Sequence, residues 1–133
     1  MATGLSSSYA TSFLDWLFNG TAMPTAPTGC WIQLHTADPG AAGTNAVAGN
    51  ATRKDLRAAV PAASAGTITN DVALTWTTGE VDTSEDYTHW SSWTASTAGT
   101  FQSSGTITAN AVTVGDEFTI PIGDFDVSLS VAS

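Results

Sequence analysis

Charge is scarce in this chain, and positive charge scarcer still. Three Lys and Arg stand against twelve Asp and Glu in 133 residues, a formal net charge of −9. Charged residues make up 11% of the chain, less than half of the roughly 25% usual in soluble domains. A surface of that sign repels phosphate backbones and anionic lipid, so neither nucleic acid nor a membrane is taken as a partner. Cysteine is nearly absent: Cys30 is the only one, which excludes an intrachain disulfide and any zinc site built on cysteines, and leaves the thiol to act as a small core hydrophobe. No apolar run approaches a membrane span. The opening Met1-Ala2-Thr3-Gly4-Leu5-Ser6-Ser7-Ser8 has neither the basic n-region nor the apolar h-region of a secretory signal. Synthesis in a cytoplasm is therefore expected, with any external location reached by assembly or lysis. Without a secretory route the sequons at Asn19 and Asn50 carry no weight. No repeat of 20 to 50 residues marks a solenoid. A Gly-x-Ser-x-Gly elbow, a phosphate-binding Gly-rich loop and His-Glu-x-x-His are all missing, which removes those reactions in their familiar forms.

Thr, Ser, Ala and Gly fill the space that charge leaves, beside a hydrophobic fraction of 42%. A chain of this length buries about two thirds of its unfolded surface, so residues 1–133 are read as one domain. All three bases, Arg53, Lys54 and Arg57, fall within five residues. That cluster reads either as a contact patch for an acidic partner or a neighbouring copy, or as a solvated strand edge guarded by charge.

Hydrophobic spacing divides the chain into a helix at about 6–19 and a β region at about 30–132. Ser6, Ser7 and Ser8 offer N-cap hydroxyls. Tyr9, Phe13, Trp16 and Leu17 recur at helical spacing, widened by Leu14 and Phe18, and Asn19-Gly20 supplies a left-handed stop. Such a stripe is too apolar to stand in water. It predicts a helix that covers a sheet or, on the sharper reading, one that docks on another subunit through Tyr9, Phe13 and Trp16. Thr21 to Gly29 is an extended Pro-containing connector. It leads into Cys30-Trp31-Ile32-Gln33-Leu34-His35, where Cys30, Ile32 and Leu34 share one face of a half-buried strand. Asp38-Pro39-Gly40 closes that strand in a turn.

Ala41 to Asn50 reads as a small-residue loop, mobile or ordered by a neighbour. Leu56 and Val60 predict a strand ending at Pro61, and the stretches Gly66–Asn70 and Val72–Trp76 predict a hairpin-like pair about Asn70-Asp71. Trp90 lies out of phase with Trp93, which predicts a bulge or strand end, and Gly105 is expected to break the strand that opens at Phe101. Turns at Gly115-Asp116 and Pro121-Ile122-Gly123 separate the last alternating stretches, which carry Phe118, Ile120, Phe125, Val127, Leu129 and Val131. Regular turn spacing points to a mainly β fold, a compact antiparallel sandwich or small barrel with one N-terminal helix.

Chemistry is thin. His35 and His89 are the only imidazoles, and neither sits in a catalytic motif; His35 reads as a hydrogen-bonded residue at a strand end. Asp82, Glu85 and Asp86 offer oxygens to Ca²⁺ but lack the order of an EF-hand loop. Trp76, Trp90 and Trp93 form either a glycan-stacking platform or part of the core. No catalytic residue, cofactor or metal ligand is assigned, and an enzyme is not expected.

Leu34-His35-Thr36-Ala37-Asp38-Pro39-Gly40, after an aromatic helix and a Pro-containing connector, resembles a family of small virion proteins of tailed bacteriophages, labelled tail fibre, head fibre or minor capsid protein. The basic Ala51-Thr52-Arg53-Lys54 and the closing Gly115-Asp116-Glu117-Phe118-Thr119-Ile120-Pro121-Ile122-Gly123 extend the likeness. Glu80 to Trp93 departs from it. The resemblance implies a structural protein on the exterior of the virion, made in the bacterial host and partnered by itself, as a homotrimer, and by the major capsid protein or other virion proteins. Capsid decoration is the first expectation, and a tail fibre or tail-tip component that binds the host surface is the alternative.

Overall fold

The computed structural model describes residues 3–132. They run β1 (Gly4–Leu5), α1 (Ser7–Asn19), β2 (Trp31–His35), β3 (Lys54–Asp55), a 3-10 turn at Arg57–Ala59, β4 (Thr67–Thr69), β5 (Leu74–Trp76), β6 (Glu85–Trp93), β7 (Phe101–Val112), β8 (Phe118–Ile120) and β9 (Asp126–Ser128). A five-stranded sheet has the order β1-β7-β6-β2-β3, and two ribbons, β4-β9 and β5-β8, complete the fold. Every strand pair is antiparallel. The fold is mainly β with one helix.

The first strand forms where the alternation places it, but both of its faces are covered. Ile32 and Leu34 are fully buried on one side, and Gln33 and His35 are buried on the other. The reason lies in the segment that follows, which folds back along β2: Ala48 N donates to the Leu34 carbonyl, Thr36 N to that of Ala46, and His35 bridges to Val47. The small-residue loop is thus ordered by its own chain. The Asp38 carboxylate accepts from Gly40 N at 2.8 Å, Asn45 N donates to the Pro39 carbonyl, and Gly43, at φ 71°, lies against the Phe101 ring where a Cβ would not fit.

Three local expectations are corrected. The chain after Lys54 turns into a 3-10 segment instead of a strand ending at Pro61, because Asp55 and Leu56 draw it round: the Asp55 carboxylate accepts from Arg57 N, and Ala59 N donates to the Leu56 carbonyl. β4 and β5 do not pair with each other. β4 pairs with β9 and β5 with β8, because the buried Asn70 side chain reaches across the chain. Its Nδ2 donates to the Val72 and Pro121 carbonyls, and its Oδ1 accepts from Gly123 N and Phe125 N. Gly105, finally, does not break β7. It lies under the Trp90 indole, where an added Cβ would stand 2.6 Å from the ring, so its role is close approach.

The core forms between the Ile32–Leu34 face of the sheet and the two ribbons. Trp76 and Tyr87 pack on Phe118, with ring centroids 5.6 and 4.9 Å apart, and Trp90 packs on Phe125 at 4.6 Å. Each fully buried side chain of this size contributes about 1.5–3 kcal/mol. The phase offset between Trp90 and Trp93 puts them on opposite faces of the sheet, since Trp90 pairs with Leu34 and Trp93 with Trp31. The register of β6 against β7 shifts after Tyr87 and again after Ser92, but the offset of the two tryptophans needs neither shift, because β6 stays in unbroken register with β2 from His89 to Trp93.

Candidate functional site

The helix is built as its sequence prescribes. Ser6 caps it, accepting from Tyr9 N, and Gly20, at φ 67°, ends it with its N–H on the Asp15 carbonyl. What it packs against differs from the bland expectation. No residue of α1 is buried. Tyr9 and Phe13 are half-covered, and Phe13 packs on Trp16 at 5.9 Å. Leu14, Trp16 and Leu17 are each about half exposed and Phe18 is 76% exposed. The helix does not roof the sheet. It is tethered at its start, where β1 pairs with Ser103 and Ser104 and Ser6 N donates to the Gln102 carbonyl. Leu5 and Met23, each 47% exposed, extend the apolar surface past both ends.

The basic cluster is divided among separate tasks. Arg53 donates from Nε and Nη2 to Gln33 Oε1, and from Nη1 to the Ala95 and Ala98 carbonyls. Its guanidinium lies 4.4 Å from the centroid of the Trp93 ring. Burial lowers its pKa, and four hydrogen bonds with one ring face satisfy the cation in place. Lys54 holds Glu80 at 2.7 Å, and that hydrogen bond, followed by one from Thr77 N, draws the Glu80 carboxyl below its usual range. Arg57 is exposed, and its guanidinium donates to the Pro27 carbonyl. Two of the three bases therefore serve the fold rather than a contact patch.

The three tryptophans expected as a glycan platform are buried, Trp76 and Trp90 in the core and Trp93 on the other face of the sheet. Trp76, Trp90 and Trp93 are 0%, 4% and 8% exposed. Trp76 Nε1 donates to the Thr52 carbonyl and Trp93 Nε1 to Ser91 Oγ. No ring face is open for a sugar, and the platform is withdrawn.

His35 lies in a closed chain of polar contacts. Its Nδ1 is 2.7 Å from the Asn45 carbonyl and its Nε2 is 2.7 Å from Ser91 Oγ. A carbonyl only accepts, so Nδ1 carries the proton, Ser91 donates to Nε2, and Ser91 in turn accepts from Trp93. Burial pushes the imidazole pKa down. A serine beside a histidine suggests a nucleophile, yet both are 0% exposed, and no substrate reaches them in this conformation. Among the described residues no group of three or more His, Cys, Asp or Glu is placed to hold a metal ion. Of the proposed calcium oxygens, Glu85 accepts from Gly49 N and Asp82 from the Thr83 hydroxyl.

Two of the body's concavities are set among its strands. One, of about 540 Å³, lies between β7 and β8, with Ile107, Asn110, Phe118, Ile120 and Asp124 among its walls. The other, of about 240 Å³, is almost wholly apolar; Leu56, Val60, Ile68, Trp90, Phe125 and Val127 line it beside Cys30 and Arg57. Sequence reasoning found neither: the second is walled by segments far apart in the chain, and the first, though its walls all lie between residues 107 and 124, takes its shape from the tertiary placement of β7 and β8. Among the described residues no helix is long and apolar enough to cross a membrane.

No curated protein matches the chain. A family model described as podophage GP4 fiber I protein gp80 matches residues 4–128, from β1 through α1 to the last strand, so the match takes in the whole β body and the apolar helix together. The chain belongs to that family of podophage fiber proteins.

Proposed function

We propose that the chain is a non-enzymatic structural subunit on the exterior of the virion, a decoration or minor capsid protein that stabilises the head, with α1 as its assembly face. The observation that carries this reading is the helix itself. Leu14, Trp16, Leu17 and Phe18 stand uncovered on one short element of a fiber-family chain, and exposed apolar surface concentrated in this way marks a contact with another subunit. The polar residues of the body point the same way, because its best-organised groups, around His35, Arg53 and Asn70, serve internal hydrogen bonds. Partners on this reading are further copies of the chain, as a trimer, and the major capsid protein or other virion proteins.

A second reading, a fibre at the tail that contacts the host surface, is favoured by the family's description as a fiber protein. Cryo-electron microscopy of intact particles separates the two. Copies distributed over the head support decoration, and a few copies at the tail overturn it in favour of the fibre.

A further inference from the structure

We propose that copies of this chain associate head to tail, with the exposed face of α1 from one copy seated in the apolar cavity beside Cys30 of the next and Phe18 as the side chain that enters. This rests on the reading of α1 as an assembly face and names what receives it.

The two surfaces match in size and in chemistry. The cavity measures about 240 Å³ and its walls are nearly all apolar. An apolar cavity of about 150 Å³ accommodates a benzene molecule, so a phenylalanine ring has room. In its own chain Phe18 is 76% exposed. A 13-residue helix is roughly 20 Å long, and α1 is tethered at its start, so its last turn, which carries Leu17 and Phe18, stands away from that tether.

Charge complementarity selects the occupant. The chain carries a net charge of −9, and two of its three bases are held by internal partners. Arg57, exposed at the cavity rim, has a neutral partner in the Pro27 carbonyl and forms no ion pair among the described residues. Such a rim accepts an apolar group that carries one carboxylate. α1 supplies that combination: Asp15 is its only charged residue and lies one turn before Phe18, a spacing that places the two as neighbours on the helix surface. The proposed contact pairs Asp15 of the entering helix with Arg57 at the rim. The contact uses two different surfaces of the same chain, and so closes into a ring or runs on as a filament. A ring of three is the trimer expected above.

Cys30, the only cysteine, lines the cavity and reports on its occupant. The full-length Phe18→Cys variant, held at a concentration well over tenfold above that at which the native chain associates to offset the lost ring, is oxidised in air with copper phenanthroline, run on a non-reducing gel, and digested for mass spectrometry. The expected result is covalent species of two or more chains joined between position 18 and Cys30, lost when Cys30→Ser is added. Ile122→Cys, at a position that is also exposed to solvent, should give less than a tenth as much. Sedimentation of the otherwise native chain with Phe18→Ser should show self-association weakened at least tenfold. The proposal is overturned if position 18 and Cys30 join only within one chain, if Ile122→Cys couples as well, or if Phe18→Ser leaves association unchanged. If position 18 couples in intact particles to a different virion protein while Cys30 stays free, head-to-tail association is overturned and α1 still stands as an assembly face. If position 18 couples to nothing in the particle, both fail.

Discussion

Asn70 holds four backbone groups with one side chain, two as donor and two as acceptor, and it is 2% exposed. Gly123 N keeps a second acceptor in the Asn70 backbone carbonyl, so removing the side chain leaves the other three groups without this partner, at about 1–3 kcal/mol for each that water does not reach. Asn70→Ala should therefore lower the unfolding free energy by about 3 kcal/mol or more in a urea titration; a loss under about 1 kcal/mol would show that the ribbons do not depend on this anchor. His35 predicts a pH dependence. Burial depresses its folded pKa, while the unfolded ring titrates near pH 6.5. Below that pH the unfolded chain binds a proton that the folded chain refuses, so stability is complete above about pH 6.5 and falls as the pH drops toward the folded value. The loss from Glu80, also depressed in the folded state, begins only in the lower range where glutamates titrate. Thermal unfolding of His35→Gln, which is neutral at every pH, should lose most of the decline between pH 6.5 and about 5; an equal decline in both proteins would assign it elsewhere. The strand-end hydrogen-bonding role of His35 was legible from its place before a turn. The reach of Asn70 was not, since three of its four partners lie 51 to 55 residues ahead and local spacing carries no record of them.

At the scale of elements, α1 was read within a residue or so of its ends, because capping hydroxyl, apolar period and left-handed glycine are all local signals. What lies against it is a tertiary fact, and the expected sheet contact does not form. β4 and β5 show the same limit: their alternation correctly gave two strands, yet proximity in sequence suggested a pairing that the ribbons with β9 and β8 replace. β7 shows it from the other side, with a glycine that reads as a break locally serving as a seat for Trp90. The exposure of α1 makes a prediction of its own. Leu14→Ser with Leu17→Ser should change monomer stability by no more than about 1 kcal/mol, as surface substitutions do. Ile32→Ala, in the core, should cost about 2–5 kcal/mol. A double serine variant as damaging as Ile32→Ala would mean that the helix packs on its own body.

For the whole molecule, composition was a good guide to class and a poor one to surfaces. Scarce charge and regular turns pointed to a mainly β domain, and the resemblance pointed to a tailed-phage virion protein; the fold and the fiber-family match across residues 4–128 bear out both at that level. The basic cluster and the tryptophans looked like surface features in sequence. Burial takes Trp76 and Trp90 into the core and Trp93 under Arg53, which becomes a brace between β2 and the loop after β6. The apolar helix is what stays on the outside, and on the proposed reading assembly covers it. Amide hydrogen exchange of residues 7–19, compared between the free chain and intact virions, tests that claim most directly. Exchange across Leu14 to Phe18 should be at least tenfold slower in the virion, with the β core unchanged. Equal exchange of this helix in the two states would contradict it.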